Sequence, residues 1–421
     1  MWKKIFFFLL IIIRNEISAQ TIYFPPVNSN EWETVSPSSL GWCVSEIDSL
    51  FSFLQSNNTK AFIVLKHGRI AIEQYFNNFT QDSIWYWASA GKVLTATLAG
   101  IAQQEGLLNL SYSTSKYLGT GWTSCPPEKE RLITLRHQLT MTAGLDDYVS
   151  DPYCTLPTCL LYKADAGTRW AYHNAPYTLL EEVIENATGL SYNQYFANKI
   201  KNRIGMNGLW VTSGYNNIYI SNARSMARFG LLILNGGIWS TDTLLYDTTY
   251  FNQMINTSQN LNLSYGYLWW LNGKASYMVP GLQYVFPGSF APAAPVDMIA
   301  GLGKNGQIVS ISKSKGLVVI RMGDTPNTGE VPLTLCNSIW EKLNAVICNQ
   351  TNVSQENNFP QRYELYQNFP NPFNPSTKIS WQSPVGSHQT LKIYDMLGNE
   401  VAKLVDEFKE AGNYEVNFNA S

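Results

Sequence analysis

The sequence predicts a mixed α/β (α+β) main domain followed by a small all-β module. Alternating apolar stretches that read as β-hairpins lie towards both ends of the first 348 residues, and capped amphipathic segments of helical period fill the middle. After Cys348 the composition changes: a polar stretch poor in large apolar residues leads into turn-rich sequence and four short strand-like runs. With 421 residues, 45% of them hydrophobic, the chain can build one large core or two.

Residues 1–19 read as an export signal. Lys3 and Lys4 precede an apolar run over 5–13, and the small residues Ser18 and Ala19 end the segment. Nine apolar residues are too few to span a bilayer, so the segment is set apart from the fold. The main domain is expected over 20–348. Residues 61–76 read as two strands about a His67-Gly68 turn. A helix is expected to begin near Ser89, because Val93, Leu94, Leu98 and Ile101 recur at helical spacing. A short helix over 133–145 would be capped by Thr134 and ended by Gly144, with His137 a structural group.

Further helices are expected over 178–188, stopped by Gly189, and over 191–204 and 222–234. Residues 265–273 read as an aromatic strand, 307–322 as a hairpin and 331–346 as a closing helix. A linker over 349–364 then leads to the module over 365–421, with strands near 378–381, 390–394, 400–405 and 414–418.

Several function classes are disfavoured. The net charge is −2 and no Lys/Arg cluster would track phosphates, so nucleic acid is not an expected partner. The four histidines form no H-E-x-x-H and lie near no C-x-x-C, so neither a metal nor another cofactor is expected. Residues 301–306 spell G-x-G-x-x-G, but a strand rather than a helix is expected after them, which rules out the dinucleotide reading. Their glycines more simply let a strand edge approach a ligand closely. Export would allow the six cysteines to pair; a local Cys154–Cys159 staple is favoured and the rest stay open.

The chemistry-bearing stretch is Ser89-Ala90-Gly91-Lys92. Residues three apart on a helical turn share a face, so an amine and a hydroxyl can meet there. Serine becomes a nucleophile when a neighbour takes its proton. The Ser89 N–H, in a first turn without an intrahelical acceptor, could face a developing oxyanion. S-x-x-K arises often by chance, and an ordinary capped helix would look the same. Tyr172 and Asn174 stand two apart in a segment expected to be extended or looped, a phenol and an amide suited to proton transfer and carbonyl recognition. Trp269 and Trp270 are candidates for substrate contact, with core packing expected of at least one.

Together, Ser89-x-x-Lys92, Tyr172-x-Asn174 and the glycine-rich strand near 301–306 resemble the class C β-lactamase superfamily of serine hydrolases, over about residues 40–347. That superfamily also contains DD-peptidases, esterases and 6-aminohexanoate-dimer hydrolases. The resemblance implies a β-lactamase/transpeptidase-like fold, an antiparallel sheet flanked by helices with a helical subdomain. It implies Ser89 as nucleophile, Lys92 and Tyr172 as proton-transfer groups and Asn174 as a substrate-orienting group. The family's third motif, Lys-Thr-Gly or His-x-Gly, is replaced by Gly301-Leu302-Gly303; Lys304 would bring a cation nearby, and a backbone N–H at Gly303 or Lys304 would be the second oxyanion donor. The missing cation, which in the family meets the substrate anion, shifts the expected activity towards an esterase or amidase such as the 6-aminohexanoate-dimer hydrolases; the expected partner is a small-molecule ester, amide or short peptide.

Residues 367–375 (QNFPNPFNP) and 393–398 (IYDMLG) resemble a type IX secretion sorting domain. That resemblance implies the type IX machinery as a partner and an extracellular or outer-membrane surface location on a Gram-negative bacterium. It also implies a module that continues beyond Ser421.

Overall fold

The computed structural model describes residues 22–324, 331–348, 363–384, 386–395, 398–409 and 412–420. The export signal, most of the expected linker and parts of the second sorting motif lie outside the described residues. The chain divides into two compact units, Met1–Ile347 and Cys348–Ser421.

The centre of the first unit is a six-stranded, wholly antiparallel sheet. Its strands are β1 (Thr59–Lys66), β2 (Arg69–Tyr75), β3 (Trp270–Leu271), β4 (Ile299–Gly303), β5 (Gln307–Ser312) and β6 (Leu317–Gly323), in the order β2-β1-β6-β5-β4-β3. The expected turns are present: His67 and Gly68 both take positive φ between β1 and β2. Every residue of β5 and β6 is buried, so both faces of this part of the sheet are covered. Helix Ala223–Leu234 packs on one face so closely that a methyl at Gly230 would come within 2.4 Å of Val318. Helices Ile47–Ser56 and Leu333–Ile347 pack on each other.

The helical part differs from expectation in its boundaries. A 3-10 turn spans Ala88–Gly91 and the α-helix runs over Lys92–Gln104, so Ser89 precedes the helix by three residues. This helix is buried from Lys92 to Ala102, as an all-round small and apolar helix must be. The expected helix at 133–145 is only Leu135–Leu139; Thr134 and His137 cap each other reciprocally, and the chain then turns, with Met141 and Gly144 at positive φ. The helix expected at 191–204 is Tyr192–Phe196 followed by a wider turn, Ala197–Lys201. Of the aromatic stretch 265–273, only Trp270–Leu271 joins the sheet, because Leu268 at φ 60° bends the chain.

No helix follows Gly306: the strand Ile299–Gly303 turns directly into β5. Cys154 and Cys159 form the expected local disulfide, and Cys125 and Cys336 are buried thiols.

The second unit is all β. Glu364–Leu365, Ser376–Ser383 and Gly412–Asn419 form one antiparallel sheet, and Ser387–Tyr394 pairs with Glu400–Lys409. Its strands extend several residues beyond the apolar runs in the sequence. Ladder hydrogen bonds carry them into polar positions such as Asp406 and Asn413.

Candidate active site

Ser89 sits where a strand, a tight turn and a buried helix meet. Trp85–Tyr86 pairs with Asn216–Ser221, and Trp87 is anchored by its backbone N–H to Tyr219 O at 2.9 Å and by its indole to Ser221 Oγ at 2.7 Å. Ala88 then takes φ 46°, a conformation that costs a non-glycine residue of order 1 kcal/mol or more. The 3-10 turn that follows leaves Ser89 partly exposed and Lys92 buried. Gly303 passes directly behind. A methyl there would lie 2.5 Å from Trp87 O, 2.7 Å from Ala90 N and 3.0 Å from Ser89 N. Gly303 has an extended backbone (φ −129°, ψ 153°), so glycine is needed for space and not for its dihedral freedom.

Lys92 connects the two halves of the site. Its Nζ donates to Ser89 Oγ at 2.8 Å and to Asn174 Oδ1 at 2.7 Å. It lies 4.1 Å from the ring centre of Tyr177 and 5.2 Å from that of Tyr172. A serine, a lysine, a tyrosine and an asparagine from sequence positions as much as 82 apart therefore converge around one amine. Asn174 opens the short helix Asn174–Thr178, and Tyr172 lies in the loop before it. Behind Tyr172 is a buried aromatic cluster, with Trp170, Tyr265 and Trp270 at ring distances of 6.4, 6.3 and 6.0 Å.

Two cavities open at this point and share Asn174. One of about 490 Å³ is bordered by Ser89 and Lys92, and the other, of about 390 Å³, by Tyr172. Both are of a size that takes small molecules. Lys304, exposed at the tip of the turn after β4, borders the first. That turn is held from below by buried Arg321, whose guanidinium donates to Asn305 O at 2.7 Å and Gly306 O at 2.9 Å.

Trp269 and Trp270 require a correction. They are 0% and 1% exposed and border neither cavity. Trp269 stacks on Phe229, and Trp270 supports Tyr172 from behind. An aromatic pair in sequence carries no mark of which side faces solvent once the strand bends.

Tyr177, Asn217 and Glu181 also belong to the site, though no motif in the sequence singled them out. Asn174, Tyr177 and Glu181 are spaced i, i+3, i+7, one face of a helix, which was the available signal. Glu181 Oε2 accepts from Asn217 Nδ2 at 2.7 Å, and Asn217 borders the first cavity. Burial pushes the Glu181 carboxyl up to about 8, against the opposing effects of the Asn217 hydrogen bond and of Lys92. His173, buried between the two site residues, is driven down to about 4, mainly by burial. Among the described residues, no group of His, Cys, Asp and Glu side chains is placed to hold a metal ion.

The first unit is thus an antiparallel sheet flanked by helices, with a hydroxyl and an amine in contact at the N-terminal end of a buried helix. The beta-lactamase family profile matches residues 58–330, and the chain belongs to that family.

Among its relatives, a beta-lactamase of Escherichia coli K12 is 27% identical over 139 residues, 31% of this chain and 36% of that protein. Penicillin-binding protein 4* of Bacillus subtilis 168 is 26% identical over 142 residues, covering 30% of each chain. The match thus spans about a third of the length of these curated relatives. The fold is shared with a Bacillus anthracis protein assigned provisionally as a 6-aminohexanoate-dimer hydrolase (TM-score 0.59, 18% identity, 76% of this chain and 89% of that one). It is shared also with a family VIII carboxylesterase (TM-score 0.55, 14% identity, 71% and 96%).

Proposed function

We propose that the protein is an exported serine hydrolase, related to class C β-lactamases, that cleaves an ester or amide through an acyl-enzyme on Ser89. The observation that carries this reading is the position of Lys92 Nζ, in contact with Ser89 Oγ and Asn174 Oδ1 and 5.2 Å from the Tyr172 ring. Ser89 Oγ attacks the carbonyl while its proton passes to the Lys92–Tyr172 pair. The Ser89 N–H and a backbone N–H near Gly303 or Lys304 receive the oxyanion. Tyr172 returns the proton to the leaving atom, and water then attacks the acyl-enzyme along the same path. Asn174 orients both Lys92 and the substrate.

In this reading residues 20–348 form the hydrolase domain, 349–364 a linker and 365–421 a type IX sorting domain. The sorting domain directs the enzyme to the cell exterior of a Gram-negative bacterium through the type IX machinery. Ser89→Ala is expected to lower kcat/KM for a chromogenic short-chain ester by at least about 10³-fold, and to abolish labelling by a fluorophosphonate. Unchanged turnover would remove Ser89 from its role. A protein that binds ligand without catalysis would also leave Ser89 unlabelled.

A second reading, a penicillin-interactive β-lactamase or DD-peptidase, is favoured by Lys304 bordering the same cavity as Ser89 and by the names of the two curated relatives. Covalent capture of a fluorescent penicillin at Ser89, absent in Ser89→Ala, would support it.

A further inference from the structure

The strand Asn216–Ser221 serves the site at both of its ends. At one end Ile220 and Ser221 pair with Trp85–Tyr86, which leads into the Ser89 turn. At the other, Asn217, opposite Thr212 in the hairpin ladder, borders the same cavity as Ser89 and Lys92. One short piece of sheet therefore carries both the approach to the nucleophile and a side-chain amide on the wall beside it.

That amide is tied from behind. Asn217 Nδ2 donates to Glu181 Oε2 at 2.7 Å, and no described residue donates to Asn217 Oδ1. An amide that commits its N–H to one side keeps its carbonyl lone pairs for another partner. Glu181, at the start of the helix Leu180–Thr188, is buried, and its Oε1 is buried with no hydrogen-bond partner among the described residues. A carboxyl buried with one hydrogen bond from a neutral amide is costly, whereas apolar groups of the same shape in both places would be nearly neutral. Packing alone does not account for the pair.

We propose that Asn217 is a specificity residue whose Oδ1 accepts from an N–H donor on the acyl group of the substrate, and that Glu181 is the positioning residue that fixes this orientation. The substrate class is then an ester or amide of an N-acylated amino acid or short peptide. This rests on the acyl-enzyme reading above: an acyl group tethered to Ser89 Oγ stays beside the wall that Asn217 borders.

The test compares phenyl N-acetylglycinate with phenyl levulinate, which replaces the N–H by CH2 and is otherwise the same ester. Corrected for the uncatalysed rates, the first is expected to be favoured in kcat/KM by about tenfold or more, because the second leaves the Asn217 carbonyl unpaired. Asn217→Ala and Glu181→Leu should each shrink that preference several-fold through KM, and Glu181→Gln, which keeps an acceptor for Asn217 Nδ2, should retain most of it. A side chain that only packs would alter the rates of both esters together.

Equal rates in the unaltered protein, or preference for the levulinate, overturn the proposal, and this comparison needs no variant to fold. A preference undiminished in Asn217→Ala removes Asn217 from the contact, and one lost in Asn217→Ala but kept in Glu181→Leu removes Glu181 from its role. Labelling of Ser89 by a fluorophosphonate with turnover of neither ester overturns the proposal and leaves the acyl-enzyme reading standing. Absence of both labelling and turnover overturns the two together.

Discussion

The wall that carries Ser89 is fixed by backbone fit, and the wall that carries Tyr172 is fixed by aromatic side chains. On the first, Ala88 at φ 46°, a 3-10 turn and the bare Cα of Gly303 pressed against Trp87 O, Ala90 N and Ser89 N hold the nucleophile. On the second, Trp170, Tyr265 and Trp270 hold a loop residue that has no regular secondary structure of its own. Lys92 spans the gap. The two walls should therefore fail differently, the first through small steric intrusions and the second through loss of packing volume.

The largest effect is expected from Tyr172→Phe, which keeps the ring packing and removes the hydroxyl. Loss of proton transfer should lower kcat by about 10²- to 10⁴-fold with little change in Tm. Full activity in this variant would place the proton relay elsewhere.

Trp270→Ala comes next. Emptying a fully buried indole costs about 3–5 kcal/mol and should loosen Tyr172, so Tm and ester turnover both fall while fluorophosphonate still labels Ser89. Equal loss of labelling would show that the aromatic cluster also supports the nucleophile turn.

Gly303→Ala should cost about 1–3 kcal/mol, because the added methyl meets backbone atoms that cannot rotate away. Here the labelling rate of Ser89 should fall out of proportion to Tm. A Tm loss with unchanged labelling would contradict the backbone-fit account.

The smallest effect is on pH dependence. Glu181 titrates near 4.5 when unfolded and near 8 when folded, so the folded state holds more protons between those values. Its contribution to stability is complete below about pH 4.5 and is lost as pH rises through 8. His173 acts in the opposite sense: its depressed folded value, about 4 against 6.5, gives stability that is lost as pH falls through that window. In Glu181→Gln the decline of Tm between pH 5 and 8 should flatten while the acid limb stays. An unchanged alkaline limb would show that another group governs it.

Much of the fold could be read in advance where a local rule acts alone. The His67-Gly68 hairpin, the Asn222-capped helix and the Gly189 stop appear where turn and capping chemistry put them. Boundaries slipped where tertiary contacts outweighed period. Ser89 stands in a 3-10 turn because the strand Ile299–Gly303 crowds that segment, and the 133–145 helix stops at Leu139 as the chain turns towards the site. Ser89, Lys92, Tyr172 and Asn174 were legible because each pair lies within a few residues and carries chemically distinctive groups. Tyr177, Asn217 and Glu181 were not, because an ordinary tyrosine, asparagine or glutamate becomes significant only through what is packed beside it.

The amino-acid order by itself determined the strand and helix types, the pairing of a hydroxyl with an amine three residues on, and the glycines where backbones must nearly touch, since these depend on interactions within one or two turns of chain. Only the tertiary structure decided that the phenol at 172 would come near the amine at 92, that the two tryptophans would turn inward, and that two cavities would open on either side of Asn174. Those outcomes depend on which distant surfaces exclude water from each other, and no local stretch of sequence contains that information.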